Sequence, residues 1–286
     1  MSAADDVVTR VATGAMPDGI VAAYGSLWVA NYGAGTVSRI DPVQRRVLAT
    51  VSVAPGPISL ADAGGAIWVA GYDTGAVTRI DPQTDRVTAT AQCGGKIVAV
   101  ASGGGAVWAF DQSGQRAVPL DPTTAQLGNP VDLGVSAGFV TAADGLLWVP
   151  DFQGGSAEVV AFDPSAKKVV RRVHVGTAPI EVSFAAGSGW VSNTGDATVT
   201  RFAPATGDVD ATIAVSGGSL GPLFAEDDAV WVSIYSGGSI ARIDPATNRV
   251  AAQLAVGAEP QTLARTSSGL WVAESADGDV ALLRQP

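Results

Sequence analysis

Seven tryptophans at nearly constant spacing constrain the fold more than any other feature of this 286-residue chain. Neighbouring tryptophans are 40–42 residues apart, and each lies in a short apolar run such as Ser26-Leu27-Trp28-Val29-Ala30. They are Trp28, Trp68, Trp108, Trp148, Trp190, Trp231 and Trp271. A period near 40 residues, with several short apolar runs in each repeat, is typical of a β-propeller in which every repeat forms one four-stranded sheet.

A second signal with the same period divides each repeat into strands. An Asp-Pro pair follows a strand-like run in five repeats, at Asp41, Asp81, Asp121, Asp163 and Asp244, and Ala203-Pro204 takes this place in a sixth. In the second repeat, residues 58–61, 66–70, 76–80 and 86–91 predict strands A to D, counted from the centre of the ring outward. We therefore expect an all-β fold, a seven-bladed propeller of antiparallel blades, with residues 1–286 as one domain.

The two ends of the chain predict how the ring closes. Residues 7–11, Val-Val-Thr-Arg-Val, resemble an outer D strand, whereas residues 280–283 fit a C strand with no D strand after it. The N-terminal strand would then complete the last blade, which would have three strands from the C-terminus and one from the N-terminus. Such closure hides edges that an open array of repeats would expose.

Composition and charge narrow the classes of partner. The formal net charge is −10 at pH 7, which argues against nucleic acids and anionic membranes, since both select clusters of Lys and Arg. A single cysteine excludes an internal disulfide framework. The first residues have no basic segment followed by an apolar run, so we expect no signal peptide and a cytoplasmic monomer, with a secreted chain whose leader was trimmed as the alternative.

The repeat text resembles two groups of bacterial propellers. Residues 28–33, Trp-Val-Ala-Asn-Tyr-Gly, followed by residues 37–42, Val-Ser-Arg-Ile-Asp-Pro, are similar to YVTN-type repeats and to the repeats of the seven-bladed streptogramin (virginiamycin B) lyases. The resemblance covers nearly the whole chain and implies the fold. For the lyases it also implies a magnesium ion and histidine acid–base chemistry at the ring centre.

The loops that meet at one mouth of the central channel predict the functional site. The position three residues after each tryptophan is acidic in three repeats, at Asp111, Asp151 and Glu274. Glu181 occupies a position near the start of its repeat where other repeats have small residues. Because equivalent loops converge on one axis, we expect these four acids to form a carboxylate-rich catalytic site. Carboxylates crowded in this way have raised pKa values or hold a cation such as Mg²⁺ or Ca²⁺.

Polar and aromatic residues of the same loops are candidates for substrate binding. They are Asn31, Tyr32, Tyr72, Phe152, Asn193, Tyr235, Asp18 and Lys96. Each also has a structural interpretation: Asn31 and Tyr32 belong to the repeat consensus and could cap a turn, and Lys96 could be a solvated loop residue.

Three other features predict structure rather than chemistry. Cys93 replaces a valine found at the same place in other repeats, and the only histidine, His174, lies near the end of an outer strand. The repeated arginines two residues before the Pro-containing turns predict a role on the opposite face, and they are Arg39, Arg79, Arg201 and Arg242.

Two functions remain open from the sequence. The first is an enzyme acting on a small molecule at the channel mouth, as a lyase, cyclase, isomerase or lactonase-like hydrolase. The second is a non-catalytic ligand-binding protein or scaffold that uses the same ring.

Overall fold

The computed structural model describes residues 6–284, which form seven four-stranded antiparallel sheets. The chain starts with β1 (Val7–Ala12). The next three sheets contain β2–β5 (Pro17–Ala23, Ser26–Asn31, Thr36–Asp41, Arg46–Ser52), β6–β9 (Pro57–Ala63, Ala66–Gly71, Ala76–Asp81, Arg86–Gln92) and β10–β13 (Ile97–Gly103, Ala106–Asp111, Arg116–Leu120, Val131–Asp132).

The remaining sheets follow the same order along the chain. They contain β14–β17 (Thr141–Ala143, Leu146–Pro150, Glu158–Asp163, Lys168–His174), β18–β21 (Pro179–Ala185, Ser188–Asn193, Thr198–Phe202, Val209–Ala214), β22–β25 (Leu220–Glu226, Ala229–Ile234, Ser239–Asp244, Arg249–Ala255) and β26–β28 (Pro260–Thr266, Gly269–Glu274, Asp279–Leu283). A 3₁₀ turn, Tyr235–Gly237, follows β23. In the part of the chain that the structure describes, no helix is long and apolar enough to span a membrane.

Ring closure joins the first strand to the last blade. The strand order of that sheet is β1-β28-β27-β26, and the register pairs Val11 with Val280 and Ala12 with Asp279. The innermost strands of neighbouring blades contact one another around the ring, including β2 with β26. The seven-bladed propeller and its three-plus-one closure, both predicted from the sequence, are confirmed.

The hydrophobic core is divided into seven clusters, each between two successive blades. Every cluster contains one of the periodic tryptophans together with residues of the following blade. Trp148, for example, packs against Phe184 and Phe202 of the next blade at ring-centroid distances of 5.2 and 5.4 Å. The periodic tryptophans therefore bury the surfaces between blades.

Repeated arginines join neighbouring blades on the face opposite the predicted site. The guanidinium of Arg39 lies 5.3 Å from the Trp28 ring centroid, and its Nη1 donates a 2.9 Å hydrogen bond to the Pro82 carbonyl of the next blade. Arg201 stacks on Trp190 at 5.0 Å and donates to the Pro245 carbonyl at 2.8 Å. The Pro-containing turns thus provide carbonyl acceptors between blades, which explains why they recur with the arginines.

The third and fourth blades depart from the regular pattern. Strand β13 has two residues and β14 has three. After β12 the chain turns back, and the Gly128 amide donates to the Pro119 carbonyl at 2.8 Å. That carbonyl therefore bonds the returning loop rather than an outer strand, which shortens the fourth strand of the blade.

Candidate functional site

The start of each inner strand and the end of the second strand of the same blade lie at one end of the sheet. The register pairs Pro17 with Asn31, Pro57 with Gly71 and Pro260 with Glu274. A register irregularity follows the first pair, as expected where a β-bulge redirects side chains. In six blades, the residue directly after the inner-strand member of this pair lines a shared cavity. These residues are Asp18, Ile58, Val98, Gly138, Ile180 and Gln261.

This cavity is the mouth of the central channel and has a volume of about 170 Å³. Three aromatic side chains, Tyr72, Phe139 and Phe152, form part of its wall. Its polar lining comes from Asp18, Gln112, Gln153 and Gln261. An apolar cavity with a few polar groups is the usual form of a small-molecule site, and this one is smaller than the roughly 300–1,000 Å³ of drug-sized sites.

Glu181 lies beside this cavity on β18, where it also bonds the neighbouring blade. Its Oε2 accepts a 2.9 Å hydrogen bond from the Leu223 amide of β22, and two residues further along β18, the Ser183 Oγ accepts from the Ala225 amide at 3.1 Å. The adjacent inner segment contacts it through a parallel bridge to Phe139. Glu181 is therefore held at the channel wall by inner-strand contacts.

Asp18 and Glu181 are the two carboxyl groups that the ring brings together. Burial raises the pKa of Asp18 to about 7. Burial also raises the pKa of Glu181 to about 8; the Leu223 hydrogen bond opposes this rise, and the nearby charge of Asp18 adds to it. Both side chains keep some contact with solvent, but the surrounding protein atoms displace most of the water that would hydrate their charged forms. Near neutral pH this pair can both hold and release a proton.

Three tyrosines and one lysine surround the pair at the rim. The Tyr32 hydroxyl donates to Asp73 at 2.9 Å, and the Tyr72 hydroxyl donates to the Gln112 Oε1 at 3.1 Å. The Lys96 Nζ lies 4.6 Å from the Tyr72 ring centroid. Burial and a hydrogen bond to Glu259 raise the pKa of Tyr235, and the charge of Asp18 contributes to this rise. Tyr235 is therefore a neutral hydrogen-bonding group close to Asp18.

The acids predicted three residues after the tryptophans do not join Glu181. Asp111 ends β11 and is almost fully buried, where it pairs with Arg116 at 3.0 Å and accepts hydrogen bonds from the Ser113 hydroxyl and the Gly114 amide. Although burial opposes ionisation, these bonds, the Lys96 amide and the Arg116 charge lower its pKa. The expectation that crowding raises its pKa is wrong, because its partners are donors rather than other acids.

Asp151 and Glu274 have equivalent positions in their own blades. Asp151 accepts hydrogen bonds from the Ser136 amide at 2.7 Å and the Ser156 amide at 3.0 Å. Glu274 is fully buried and pairs with Arg10 of β1, which also pairs with Asp279 at 3.2 Å. The predicted gathering of these acids with Glu181 is therefore corrected: each side chain turns into the loop that precedes its own blade.

Two asparagines, Asn31 and Asn193, also lie three residues after a periodic tryptophan, and their side chains have equivalent hydrogen-bond partners. The Asn31 Nδ2 donates to Thr36 and Ser38, both at 3.0 Å, and the Asn193 Nδ2 donates to Thr198 and Thr200 at 3.0 and 2.9 Å. Both asparagines are fully buried. Of the two interpretations of Asn31 left open by the sequence, these contacts favour the structural one.

Sequence reasoning placed Asp18 among the binding residues and missed its pairing with Glu181. It also missed Gln153 and the apolar lining from Ile58, Val98 and Ile180. Proline begins four inner strands, at Pro17, Pro57, Pro179 and Pro260. Aligning the repeats on these prolines would have identified the cavity-lining position directly after them.

The described residues do not provide the centre that the lyase resemblance implies. His174 lies on β17 with 82% of its side chain exposed, 3.6 Å from Glu158. Within residues 6–284, no three His, Cys, Asp or Glu side chains are grouped so that they could hold a metal ion. We therefore derive no chemical step through a metal.

Comparisons with known proteins agree on the fold. No protein-family model matches the chain, and no curated protein matches it by sequence. A structure of an inactive virginiamycin B lyase from Staphylococcus aureus with quinupristin is 14% identical with a TM-score of 0.84, covering 97% of this chain and 99% of that one. Hydrazine synthase from Kuenenia stuttgartiensis is also 14% identical, with a TM-score of 0.84 and coverage of 97% and 98%.

A third similar structure, BamB from Moraxella catarrhalis, is 15% identical with a TM-score of 0.69, covering 94% of this chain and 84% of that one. Proteins with such different descriptions share this architecture, because a propeller is a scaffold on which different sites can be built. At these identities the likeness concerns the fold alone. The chain is a seven-bladed β-propeller with the same fold as the streptogramin B lyases.

Proposed function

We propose that this protein is an enzyme that binds a small molecule at the channel mouth and transforms it by acid–base chemistry between Asp18 and Glu181. The observation that carries the proposal is the presence of two carboxyl groups from opposite parts of the chain beside one aromatic-walled cavity. General acids and bases work best when their pKa values lie near the operating pH, and both groups meet this condition.

The two carboxyl groups have different roles in this proposal. With a pKa of about 8, Glu181 is mainly protonated at pH 7 and serves as the acid. Asp18, with a pKa of about 7, is partly ionised there and serves as the base. The Leu223 amide holds one oxygen of Glu181, which limits the orientations that the carboxyl group can adopt beside the cavity. Elimination, cyclisation, isomerisation and lactone hydrolysis each need one proton removed and one donated, and all fit this pair.

The experiment is a thermal-shift screen of a small-molecule library at pH 7, followed by mass spectrometry of each hit after incubation with the protein. Glu181→Gln and Asp18→Asn keep the side-chain shape and remove the titrating group. We expect wild type to bind and convert a hit, and each variant to lose at least about 100-fold in turnover, as is usual when an acid or base is removed. The matched controls are Glu158→Gln on β16, the third strand of its blade, and Asp208→Asn at an exposed position directly before β21.

The result that contradicts the proposal is conversion of a hit at the wild-type rate by Glu181→Gln and Asp18→Asn. A second candidate function, a non-catalytic binder, is favoured by one observation: Glu181 and Ser183 both bond amides of β22 and so contribute to the ring itself. That function predicts hits that bind wild type and remain chemically unchanged after long incubation.

A further inference from the structure

The two carboxyl groups at the channel mouth have no cationic partner. Within residues 6–284, neither Asp18 nor Glu181 forms an ion pair. Lys96, a basic residue of the rim, contacts Tyr72 instead, with its Nζ 4.6 Å from the Tyr72 ring centroid and 3.5 Å from the Tyr72 hydroxyl oxygen. Ionising both carboxyl groups therefore requires compensation from outside the described chain.

One oxygen of this pair is buried without a partner. The Asp18 Oδ1 is inaccessible to solvent and has no hydrogen bond within the described residues, although the Asp18 side chain lines the cavity. The backbone carbonyl of Asp18, in contrast, accepts a bond from the Thr262 hydroxyl. A buried, unpartnered carboxylate oxygen is unusual in folded proteins, and a bound ligand that donates hydrogen bonds is one way to satisfy it.

The cavity wall is suited to a positively charged group with an apolar body. The position of Lys96 shows that an ammonium can lie against the Tyr72 ring at this rim. Phe139 and Phe152 add two further aromatic rings to the wall, and such faces attract cations within about 6 Å of the ring centre. The formal net charge of −10 also favours the approach of cations over anions.

We propose that the ligand of this site is a small organic cation, an alkyl or arylalkyl ammonium, with its charged group between Asp18 and Glu181 and its apolar part against Phe139 and Phe152. This inference rests on the proposed function, because it names the class of molecule that the channel mouth binds. The cavity of about 170 Å³ limits the ligand to a compact molecule.

Ligand binding is then coupled to proton release. An ammonium stabilises the ionised form of Asp18, which is largely protonated below neutral pH because burial raises its pKa to about 7. Glu181, whose pKa is raised to about 8, keeps the proton that it donates in the proposed reaction. Binding must therefore displace the proton of Asp18, and affinity must increase as the pH rises through 7. A neutral ligand of the same shape has no such dependence.

The test compares three probes of similar shape by isothermal titration calorimetry: 2-phenylethylamine, neutral 2-phenylethanol and anionic phenylacetate. We expect the amine to bind at least tenfold more tightly than the other two at pH 8. Its affinity should fall roughly tenfold between pH 8 and pH 6, as for a carboxylate that titrates near pH 7. The apparent binding enthalpy should differ between phosphate and Tris buffers, because about one proton is released.

Variants and a permanent cation make the test specific. Asp18→Asn should weaken amine binding at least tenfold and abolish its pH dependence, whereas Glu158→Gln should leave both unchanged. Benzyltrimethylammonium, whose charge is independent of pH, should show the same rise in affinity, which assigns the titration to the protein. Since a variant could fail to fold, the pH and buffer dependence of wild type provides a test without substitutions.

Equal affinity for 2-phenylethylamine and 2-phenylethanol overturns the inference. If both probes then bind wild type and fail to bind Glu181→Gln, the small-molecule site remains and only the ligand class is wrong. Tight binding of Mg²⁺ or Ca²⁺ that the amine does not compete with also overturns it, because the pair would then serve an inorganic cation. If neither the probes nor any library compound binds, the proposed function fails as well.

Discussion

At the scale of single residues, the carboxyl pair gives the protein a characteristic dependence of stability on pH. A carboxyl group whose pKa is raised on folding binds its proton more tightly in the folded state than in the unfolded state. Its contribution to the free energy of unfolding is fully present below about pH 4, near the unfolded pKa, and is lost as the pH rises through the folded pKa. For Asp18 and Glu181 these folded values are about 7 and about 8.

We therefore expect the melting temperature of wild type to fall between pH 5 and pH 8.5, and to fall less in Asp18→Asn and Glu181→Gln. The acids with lowered pKa values, such as Asp111 and Glu226, titrate below this window and do not obscure the effect. Differential scanning fluorimetry across the range measures it. A parallel pH dependence in wild type and both variants would show that the pair does not titrate as the structure indicates.

Removing one of the periodic tryptophan side chains should greatly reduce the stability of the protein. Trp148 is almost fully buried and packs against Phe184 and Phe202 of the next blade. Trp148→Ala should lower the free energy of unfolding by about 3–5 kcal/mol, the usual cost of deleting a large buried aromatic ring. Urea denaturation measures this difference, and a loss below about 1 kcal/mol would show that the ring is not part of the core.

The residues that sequence reasoning predicted well are those whose role repeats from blade to blade. The tryptophans recur in all seven repeats, and arginines such as Arg39 and Arg201 recur in four, because they make the same contacts between neighbouring blades. Each site residue differs from the consensus of the repeat. No equivalent residue in another blade therefore indicates where its side chain points. Asp111 and Glu274 depart from asparagine just as clearly as Glu181 departs from small residues. Asp111 nevertheless bonds donors of its own loop, and Glu274 pairs with Arg10 of β1, so neither joins Glu181.

At the scale of strands, Arg10 of β1 provides the ionic contact that joins this strand to the last blade. Its guanidinium pairs with the buried Glu274 and with Asp279 at 3.2 Å, and it donates to the Val256 carbonyl. Glu274 has no solvent-accessible surface, so it depends on this partner for compensation of its charge. The strand is therefore held by charge as well as by its backbone hydrogen bonds.

We expect Arg10→Met to destabilise the protein by about 3 kcal/mol, because removing one member of a buried ion pair leaves the other charge uncompensated. The double variant Arg10→Met/Glu274→Met should recover most of the loss, since two apolar residues can replace such a pair. Arg249→Met, at an exposed position that begins β25, serves as the control. Equal destabilisation in the single and double variants would assign the effect to lost packing rather than to charge.

The strands of regular repeats could be predicted, whereas those of the third and fourth blades could not be predicted in detail. In the second repeat the predicted strand C, residues 76–80, agrees with β8 (Ala76–Asp81). In the third blade, Pro119 lies inside β12 and the loop after it folds back onto this strand through Gly128. Proline and glycine indicate an interruption there, but the partner of the returning loop is a tertiary contact that local pattern does not contain.

At the scale of the whole molecule, the ring depends on one strand that comes from the other end of the chain. Deleting residues 1–12 removes β1 and leaves the edge of β28 without its partner. We expect the truncated protein to have a lower melting temperature and to form dimers or aggregates, because an open strand edge pairs with other chains. Size-exclusion chromatography and thermal unfolding measure both effects. A truncated protein that stays monomeric with the wild-type melting temperature would contradict this role.

The pairing of Val7–Ala12 with Asp279–Leu283 also has a consequence for biosynthesis. Arg10 leaves the ribosome 269 residues before its partner Asp279. At about 5–20 residues per second, this interval lasts roughly 13–54 s, during which the first strand has no sheet to join. Its alternation of half-buried and exposed residues, with no large continuous apolar run, keeps the waiting segment compatible with water. Translation speed and chaperone capture of nascent chains should therefore affect the yield of this protein more than that of one whose first and last strands belong to different sheets.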